Sequence, residues 1–155
     1  MTSSNSTSAR LALGFSCVGH TFSHLLMLLF PTVVLSLEVA WDRPFEELIG
    51  LMLVGQVMFG VGAVPAGWLG DRWSVPGMMA VFFIGTGAAA IATGFATGPF
   101  EIAVGLSAIG LFASIYHPVG IAWVARNPVS RGKALGLNGI FGSAGTAGGA
   151  VVAGT

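Results

Sequence analysis

Charged side chains are scarce in this chain. They make up 8% of its 155 residues, against 54% hydrophobic residues, and the mean hydropathy is +0.86. A soluble domain carries about 25% charged residues, so the composition predicts an integral membrane protein with the lipid bilayer as its solvent. The six basic and six acidic residues cancel to zero net charge, which gives no indication of a nucleic-acid partner.

Cysteine is rare as well, and acids are missing from the interiors of the apolar runs. The single cysteine, Cys17, lies in an apolar run, which argues against a disulfide scaffold and against a thiolate metal site. The sequence offers no phosphate-binding loop and no set of nucleophile, base and orienting residue, so we expect neither an enzyme nor a bound cofactor. Apart from Glu47 and Glu101 at the span ends, no acid lies within a predicted span, which excludes an intramembrane carboxylate as the proton carrier in this part of the chain.

Apolar runs of membrane length account for most of the sequence. A helix needs roughly 20 apolar residues to cross about 30 Å of hydrocarbon. Five runs meet this requirement and predict an all-α, polytopic membrane bundle; they cover about residues 11–37, 47–70, 75–97, 100–125 and 132–155. Within the first run, Phe30-Pro31 predicts a kink, because proline removes a backbone donor from a helix.

The basic residues predict how this bundle is oriented. Arg43 lies on one side, and the other basic residues fall together on the opposite side: Arg10, Arg72, Arg126, Arg131 and Lys133. The positive-inside rule assigns the second side to the cytoplasm. We therefore expect a cytoplasmic N-terminus and a location in a bacterial inner (plasma) membrane.

A charged turn lies between the second and third predicted spans, in the segment Gly67-Trp68-Leu69-Gly70-Asp71-Arg72. It resembles the loop between helices two and three of the major facilitator superfamily, whose pattern begins Gly-x-Leu-x-Asp-Arg. Four residues match that pattern: Gly67, Leu69, Asp71 and Arg72. The glycine and basic residues that usually follow are replaced by residues 73–76. The resemblance implies a gating role for this loop, with the Asp71 charge paired across a cytoplasmic gate.

The fourth and fifth predicted spans add to the resemblance. The segment Ser114-Ile115-Tyr116-His117-Pro118-Val119-Gly120 is followed by Arg126-Asn127-Pro128 and by an Arg-Gly-x-Ala start at Arg131. This order is similar to that of facilitator transporters. The Tyr-His-Pro-x-Gly form, together with histidines in the first span, is closest to the fosmidomycin-resistance-like branch.

The resemblance implies a particular organisation. Facilitator transporters contain two six-helix bundles, each made of two inverted three-helix repeats, around a site near the membrane midplane. Five spans then correspond to an incomplete six-helix N-terminal half within residues 1–155. We expect a C-terminal half, or a second chain, to supply the rest of the pathway.

Polar residues inside the spans are candidate pathway residues, because they are costly in lipid. His20 and His24 lie on one face of the first helix, and at 1.5 Å per residue His20 and His117 reach similar depths, about 6–7 Å from the midplane. The predicted substrate or proton pathway comprises His20, His24, Gln56, Tyr116, His117 and Asn138. His20 and His117 are the preferred proton or anion contacts, because histidine changes charge near physiological pH.

Two competing interpretations of these residues stay open. Interhelical hydrogen bonding without a transport role is an alternative for each of them, above all for His24, Gln56 and Asn138. His20 and His24 also have the i, i+4 spacing of a zinc-binding pair. No carboxylate or third nearby ligand accompanies this pair in the sequence, so we expect no metal site.

Glycine recurs every third residue in the fifth span, from Gly136 to Gly148. Each step rotates about −60° around a helix of 3.6 residues per turn, which predicts a spiral groove. Gly145 and Gly149 add a small-xxx-small spacing. The predicted helix-packing residues are Gly139, Gly142, Gly145, Gly148 and Gly149; a hinge for alternating access is the alternative role.

These observations predict a transmembrane transporter of small solutes that works by alternating access, with proton-coupled efflux as one form. The alternative is a non-transporting membrane fragment, or a regulatory or assembly partner of a full transporter.

Overall fold

The chain is all-helical throughout the part that the structure, a computed structural model, describes: residues 2–126 and 130–154, with side chains from Thr7 onward. Asn127 and Pro128 of the predicted loop, and Thr155 at the end of the predicted fifth span, lie outside the described residues. The helices are α1 (Thr2–Leu28), α2 (Phe30–Trp41), α3 (Phe45–Ile49), α4 (Met52–Arg72), α5 (Val75–Thr93), α6 (Pro99–Ala113), a π-helical segment (Tyr116–Ile121), α7 (Ala122–Arg126) and α8 (Arg131–Ala153).

Four stretches of the described chain are long and apolar enough to cross a membrane. They are Thr7–Trp41, Phe45–Arg72, Val75–Thr93 and Pro99–Arg126, here called spans 1 to 4. The sequence predicts five. Helix α8 has the necessary length, 23 residues, but its many glycines, with Asn138, Ser143 and Thr146, make it less apolar than the other four. The four-span count is thus supported by length and composition, and the fifth span stays a prediction.

Several spans are interrupted rather than continuous. Span 1 breaks at Leu29, between α1 and α2, two residues before Pro31. Pro31 has no N–H to donate to the carbonyl of Met27, so the predicted kink is confirmed. Span 4 changes from α6 to the π segment around Pro118 for the same reason. This second interruption matters for function, because it contains Tyr116 and His117.

Span 2 packs against span 4 through glycines. The residues of α4 that are buried are Gly55, Gly62, Ala66 and Gly70. A Cβ on Gly55 would lie 2.7 Å from the carbonyl oxygen of Leu106, and one on Gly70 would lie 2.8 Å from Val119 Cγ2. Close approach of the two backbones therefore requires glycine at these positions.

Helix α8 packs against α1 along a single stripe. Its buried residues are Asn138, Gly142, Gly145 and Gly149, separated by four, three and four positions. That spacing keeps residues on one helical face. Gly148 makes only an ordinary contact with Leu25, and Gly136 and Gly139 have no neighbour among the described residues within 4 Å of an added Cβ. Within the described chain the packing glycines therefore form a stripe against α1 that does not include Gly139, and a packing role for Gly139 stays a prediction.

Apolar side chains cover the outside of the described bundle. Phe95 is 80% exposed, Phe100 79% and Val64 78%. Lipid tails solvate such side chains as well as a protein core does. The buried apolar side chains instead form two clusters, and one of them, containing Met79, Phe82 and Val119, surrounds Tyr116.

Candidate functional site

Five of the six predicted pathway residues meet at one place. His20 and His24 come from α1, Tyr116 and His117 from the π segment, and Asn138 from α8; we call these five residues the histidine network. Tyr116 is fully buried, Asn138 is 2% exposed and His20 is 9% exposed. His24 and His117 are half-buried. The network therefore joins spans 1 and 4 to α8 with one side open.

A directed chain of hydrogen bonds connects four of the five residues of the network: His24, His20, Asn138 and Tyr116. His20 Nδ1 lies 2.9 Å from the main-chain oxygen of Asn138 and 3.0 Å from its Oδ1. Because a carbonyl oxygen only accepts, His20 must carry its proton on Nδ1. In the neutral ring, His20 Nε2 then accepts from His24 Nε2, 3.1 Å away. His24 is thus the donor at the open end of the chain.

The chain continues from Asn138 into the protein. Asn138 Nδ2 donates to the Tyr116 hydroxyl at 2.8 Å, and that hydroxyl donates to the main-chain oxygen of Ser16 at 2.8 Å. Ser16 Oγ in turn donates to the carbonyl oxygen of Gly120 at 3.1 Å. Buried polar groups need such partners, since an unmet one costs about 1–3 kcal/mol. Apart from the His24–His20 bond within α1, the links join different helices, so the network also fixes how these helices pack.

Ring contacts hold the histidines in place. Tyr116 stacks on His20, with ring centroids 4.9 Å apart and planes inclined by 28°. His117 meets His20 and His24 edge-on, at 5.4 and 5.3 Å. Phe59 of span 2 closes the other side of His117 at 5.5 Å. The three imidazoles therefore form a compact group rather than three separate polar spots.

The π segment explains how two consecutive residues reach the same group. Neighbouring residues of an α-helix point about 100° apart, yet both Tyr116 and His117 contact His20. The wider winding of a π segment reduces that separation, and such segments often occur at functional sites. Gly19 and Gly120 leave room for the Tyr116 ring, since a Cβ on either would lie 3.0 Å or less from it.

Ser16 is the functional-site residue that the sequence analysis missed. It is fully buried and takes part in two hydrogen bonds of the chain. A signal was present, because Ser16, His20 and His24 recur at i, i+4 and i+8 on one helical face. Its short side chain in an apolar run gave no further reason to single it out.

Gln56 lies apart from the network. It is half-buried and lines a small gap between spans 1, 2 and 4, beside Leu26, Met27 and Met52. That gap is about one helical turn from His24 along α1. The structure therefore brings together five of the predicted pathway residues and leaves Gln56 as a neighbour.

The charged turn after span 2 makes a contact that the sequence did not indicate. Asp71 Oδ1 pairs with the Arg126 side chain at 2.7 Å, so this carboxylate binds the end of span 4 rather than its chain neighbour Arg72. Arg72 instead stacks over the Trp68 ring, 4.3 Å from its centroid. Two consecutive charges on one helix end point in different directions, and Arg126 is the base that Asp71 faces.

The other two residues of the predicted gating loop differ in their surroundings. A Cβ on Gly67 would lie 3.2 Å from Pro118, so this glycine packs closely against the π segment. Leu69 is 40% exposed on the outer surface. The short connection between Arg72 and Val75 is capped by Ser74, whose hydroxyl accepts from the N–H of Gly77.

The structure also supplies a third candidate metal ligand. One ring nitrogen from each of His20, His24 and His117 lies within 4.8 Å of the others. The sequence-based expectation that no third ligand lies near the His20–His24 pair is therefore wrong, because 92 residues of chain separate His24 from His117 and only the fold brings them together.

Comparison with known protein families identifies one that matches this chain. The model of the Major Facilitator Superfamily matches residues 11–155, which is nearly the whole chain. No curated protein and no solved structure matches significantly. Members of this family are membrane transporters rather than enzymes, which agrees with the apolar spans. The chain is thus an integral membrane protein with a transport role, and it belongs to the major facilitator superfamily.

Proposed function

We infer that the chain forms the solute pathway of a transporter that works by alternating access, with the histidine network as part of the pathway wall. The observation that carries this is the meeting of five polar side chains from three separate elements inside apolar helices. Intramembrane polar groups are expensive and usually mark substrate or ion pathways. Packing alone would be served as well by apolar side chains. Helix α8 acts as a fifth span.

Proton-coupled efflux is the proposed form of transport. The groups of the network that can change charge near physiological pH are its three imidazoles. His24 stands at the half-buried end of the hydrogen-bonded chain, so a proton arriving there changes which nitrogen of the His20–His24 pair donates. Small anionic solutes are the matching substrate class, because a protonated imidazole favours them. The fosmidomycin-resistance-like branch is the proposed subgroup.

The Asp71–Arg126 pair is the proposed cytoplasmic latch. It joins the end of span 2 to the end of span 4, and both side chains are more than half exposed. An exposed pair contributes only about 0.2–1 kcal/mol, so it can break in each transport cycle. Alternating access needs such a contact to form in one state and open in the other.

The proposed orientation has the N-terminus in the cytoplasm of a bacterial inner membrane. A reporter active only in the cytoplasm, fused after Arg72 or Arg131, is expected to be active. The same reporter fused after Asp42 or Gly98 is expected to be silent, because those residues lie at the opposite ends of the spans. The inverse pattern would contradict the orientation.

Drug survival tests the transport proposal. Cells of an efflux-deficient bacterium that express the chain are exposed to fosmidomycin, a small anionic probe, and the inhibitory concentration is measured. The chain is expected to raise it, and His117→Ala to abolish the increase. Gly87→Ala in α5 serves as the matched control, because an added Cβ there meets no described neighbour. An unchanged inhibitory concentration with the parent chain would contradict solute efflux of this class.

One observation favours the alternative function, an assembly partner of a full transporter. Gly136 and Gly139 of α8 face no described neighbour, and Ile140 beside them is 65% exposed. Small residues on an open helix face suit the approach of another helix. Further helices, from the same chain or a second one, would complete the pathway there. Cross-linking from cysteines at these positions to a co-purified second protein, without drug survival, would support this function.

A further inference from the structure

The histidines of the network have the arrangement of three metal ligands. Tetrahedral zinc binds imidazole nitrogens at about 2.0–2.1 Å, which places two ligand nitrogens about 3.3 Å apart. His20 Nε2 and His24 Nε2 are 3.1 Å apart; a bound ion would replace the hydrogen bond between them, with the His24 proton carried on Nδ1 instead. The His117 nitrogen lies within 4.8 Å of both. If the His117 ring moved by about 1.5 Å, the difference between 4.8 and 3.3 Å, all three nitrogens would be at the spacing of zinc ligands.

The surroundings of His20 match those of a metal-binding histidine. Ligating imidazoles usually donate the other ring N–H to a carbonyl or carboxylate, which fixes the ring and its tautomer. His20 Nδ1 makes this bond to the Asn138 main-chain oxygen and Oδ1. The lone pair of Nε2 is thereby directed at His24. Stacking on Tyr116 holds the ring plane as well.

His117 supplies the second argument. Its Nδ1 is buried and has no hydrogen-bond partner among the described residues. Such orphaned groups are rare in folded proteins and call for an explanation, and a bound ion is one. The ring as a whole is half-buried, so an ion can reach the group from the open side. The i, i+4 pair on α1 and this third imidazole thus converge on one small volume.

We propose that His20, His24 and His117 bind a divalent transition-metal ion of the zinc class. Neutral imidazoles suit Zn²⁺, Co²⁺ and Ni²⁺, whereas Mg²⁺ and Ca²⁺ require oxygen ligands that the described group does not contain. Three protein ligands leave a fourth position open for water or an anion. A hydroxide or anionic solute in that position would reduce the net positive charge inside the membrane.

This inference goes beyond transport and does not depend on it, because equilibrium metal binding is measured without a transport cycle. The experiment uses the purified chain in detergent micelles, with its affinity tag removed because a histidine tag binds the same ions. The protein is stripped with a chelator and dialysed against Zn²⁺ for metal analysis. A second sample is titrated with Co²⁺, whose visible absorption reports coordination number and ligand type.

The expected result is one Zn²⁺ per chain and the intense visible bands of four-coordinate Co²⁺. His117→Ala and His117→Gln should lose both, while Asn138→Ala should weaken binding about 10–100-fold through the lost support of His20. Gln56→Ala is the matched control, an intramembrane polar residue outside the group, and should bind as the parent does. Helical circular dichroism shows that each variant has folded.

Absence of stoichiometric Zn²⁺ from the parent chain would overturn the proposal. So would four-coordinate Co²⁺ bands that persist in both His117 variants, or a parent spectrum typical of six oxygen ligands. If the chain binds metal but does not raise the inhibitory concentration of fosmidomycin, the metal site is supported and only the proposed efflux is rejected.

Discussion

The packing of α8 on α1 can be tested with one methyl group. Gly145 lies against the main chain of Thr21, and a Cβ added there would be 2.9 Å from both the Thr21 carbonyl carbon and its Cα, and nearer still to the carbonyl oxygen. Ordinary contact begins at 3.4 Å. Backbone atoms cannot rotate aside, so Gly145→Ala must move the two helices apart by about 0.5 Å or more, the difference between 3.4 and 2.9 Å.

The expected cost follows from this overlap. Overpacking a tight contact destabilises by about 1–3 kcal/mol, and separation also weakens the bond from Thr21 Oγ1 to the Phe141 carbonyl oxygen, now 2.9 Å long. Alanine gains about 1 kcal/mol over glycine in helix propensity. Gly139→Ala on the same helix receives that gain without a clash. The difference between the two variants therefore isolates the packing term, about 1–3 kcal/mol.

Reversible unfolding in detergent measures this difference. The protein is held in mild micelles and titrated with sodium dodecyl sulfate while circular dichroism follows the helices. Gly139→Ala should match or exceed the parent in free energy of unfolding, and Gly145→Ala should fall below it. Equal free energies for the two variants would refute the stripe of contacts through Gly145.

Three further substitutions test the site and its latch. Asp71→Asn breaks the exposed pair with Arg126, so the free energy of unfolding should fall by no more than about 1 kcal/mol, while drug survival should decrease strongly. Tyr116→Phe removes the hydroxyl that Asn138 Nδ2 and the Ser16 carbonyl bind, and should destabilise by about 1 kcal/mol. Gly142→Ala places a Cβ 2.6 Å from His20 Nε2, so the ring should move about 0.8 Å to reach ordinary contact, visible as a changed ¹⁵N signal of His20.

Each of these substitutions has a control. Arg126→Gln should have the effect of Asp71→Asn, and the double variant should add little to either. Ser107→Ala removes a hydroxyl whose bond in the described part of the chain stays within its own helix, to the Ala103 carbonyl oxygen, and should have a smaller effect than Tyr116→Phe. Full drug survival in Asp71→Asn would leave that residue as a solvated turn residue, and an unaltered His20 signal in Gly142→Ala would contradict the contact.

The class and most of the spans follow from composition and run length. The hydropathy of an apolar run is a local property of its residues, so the sequence indicates the positions of the spans without any knowledge of tertiary contacts. Pro31 gave the kink of span 1 in the same local way. Helix α8 is harder, because its glycines lower its hydropathy while serving its packing. Neither the count of five spans nor the role of that helix can be decided from such averages.

The site was predictable in its members but not in its geometry. Helical spacing and depth bring His20, His117 and Asn138 to one level, and the structure does place them together. Rotation about each helix axis cannot be read from depth, which is why Gln56 was grouped with them and Ser16 was omitted. The convergence of Tyr116 with His117 depends on a π segment; Pro118 indicates that the helix is interrupted there, but not that the interruption takes π-helical form.

The sequence likewise does not indicate which group each charged side chain pairs with. The Asp71 and Arg72 pair looks self-contained in the chain, yet Asp71 faces Arg126, which is 55 positions away. Likewise the every-third glycine pattern of α8 gives no indication of which glycines meet α1. Which of these glycines contact α1 depends on where the axis of α1 lies. Close contacts with α1 form at Gly142, Gly145 and Gly149.

Thiol labelling tests most directly whether the histidine network lines an aqueous pathway. In a Cys17→Ser background, cysteine is placed at position 117, and at Ala113 as a control that is fully buried on the preceding turn. A small water-soluble thiol reagent is added from the cytoplasmic side of membrane vesicles. His117→Cys should react and Ala113→Cys should not. An unreactive cysteine at position 117 would contradict the pathway and leave the histidines as packing residues.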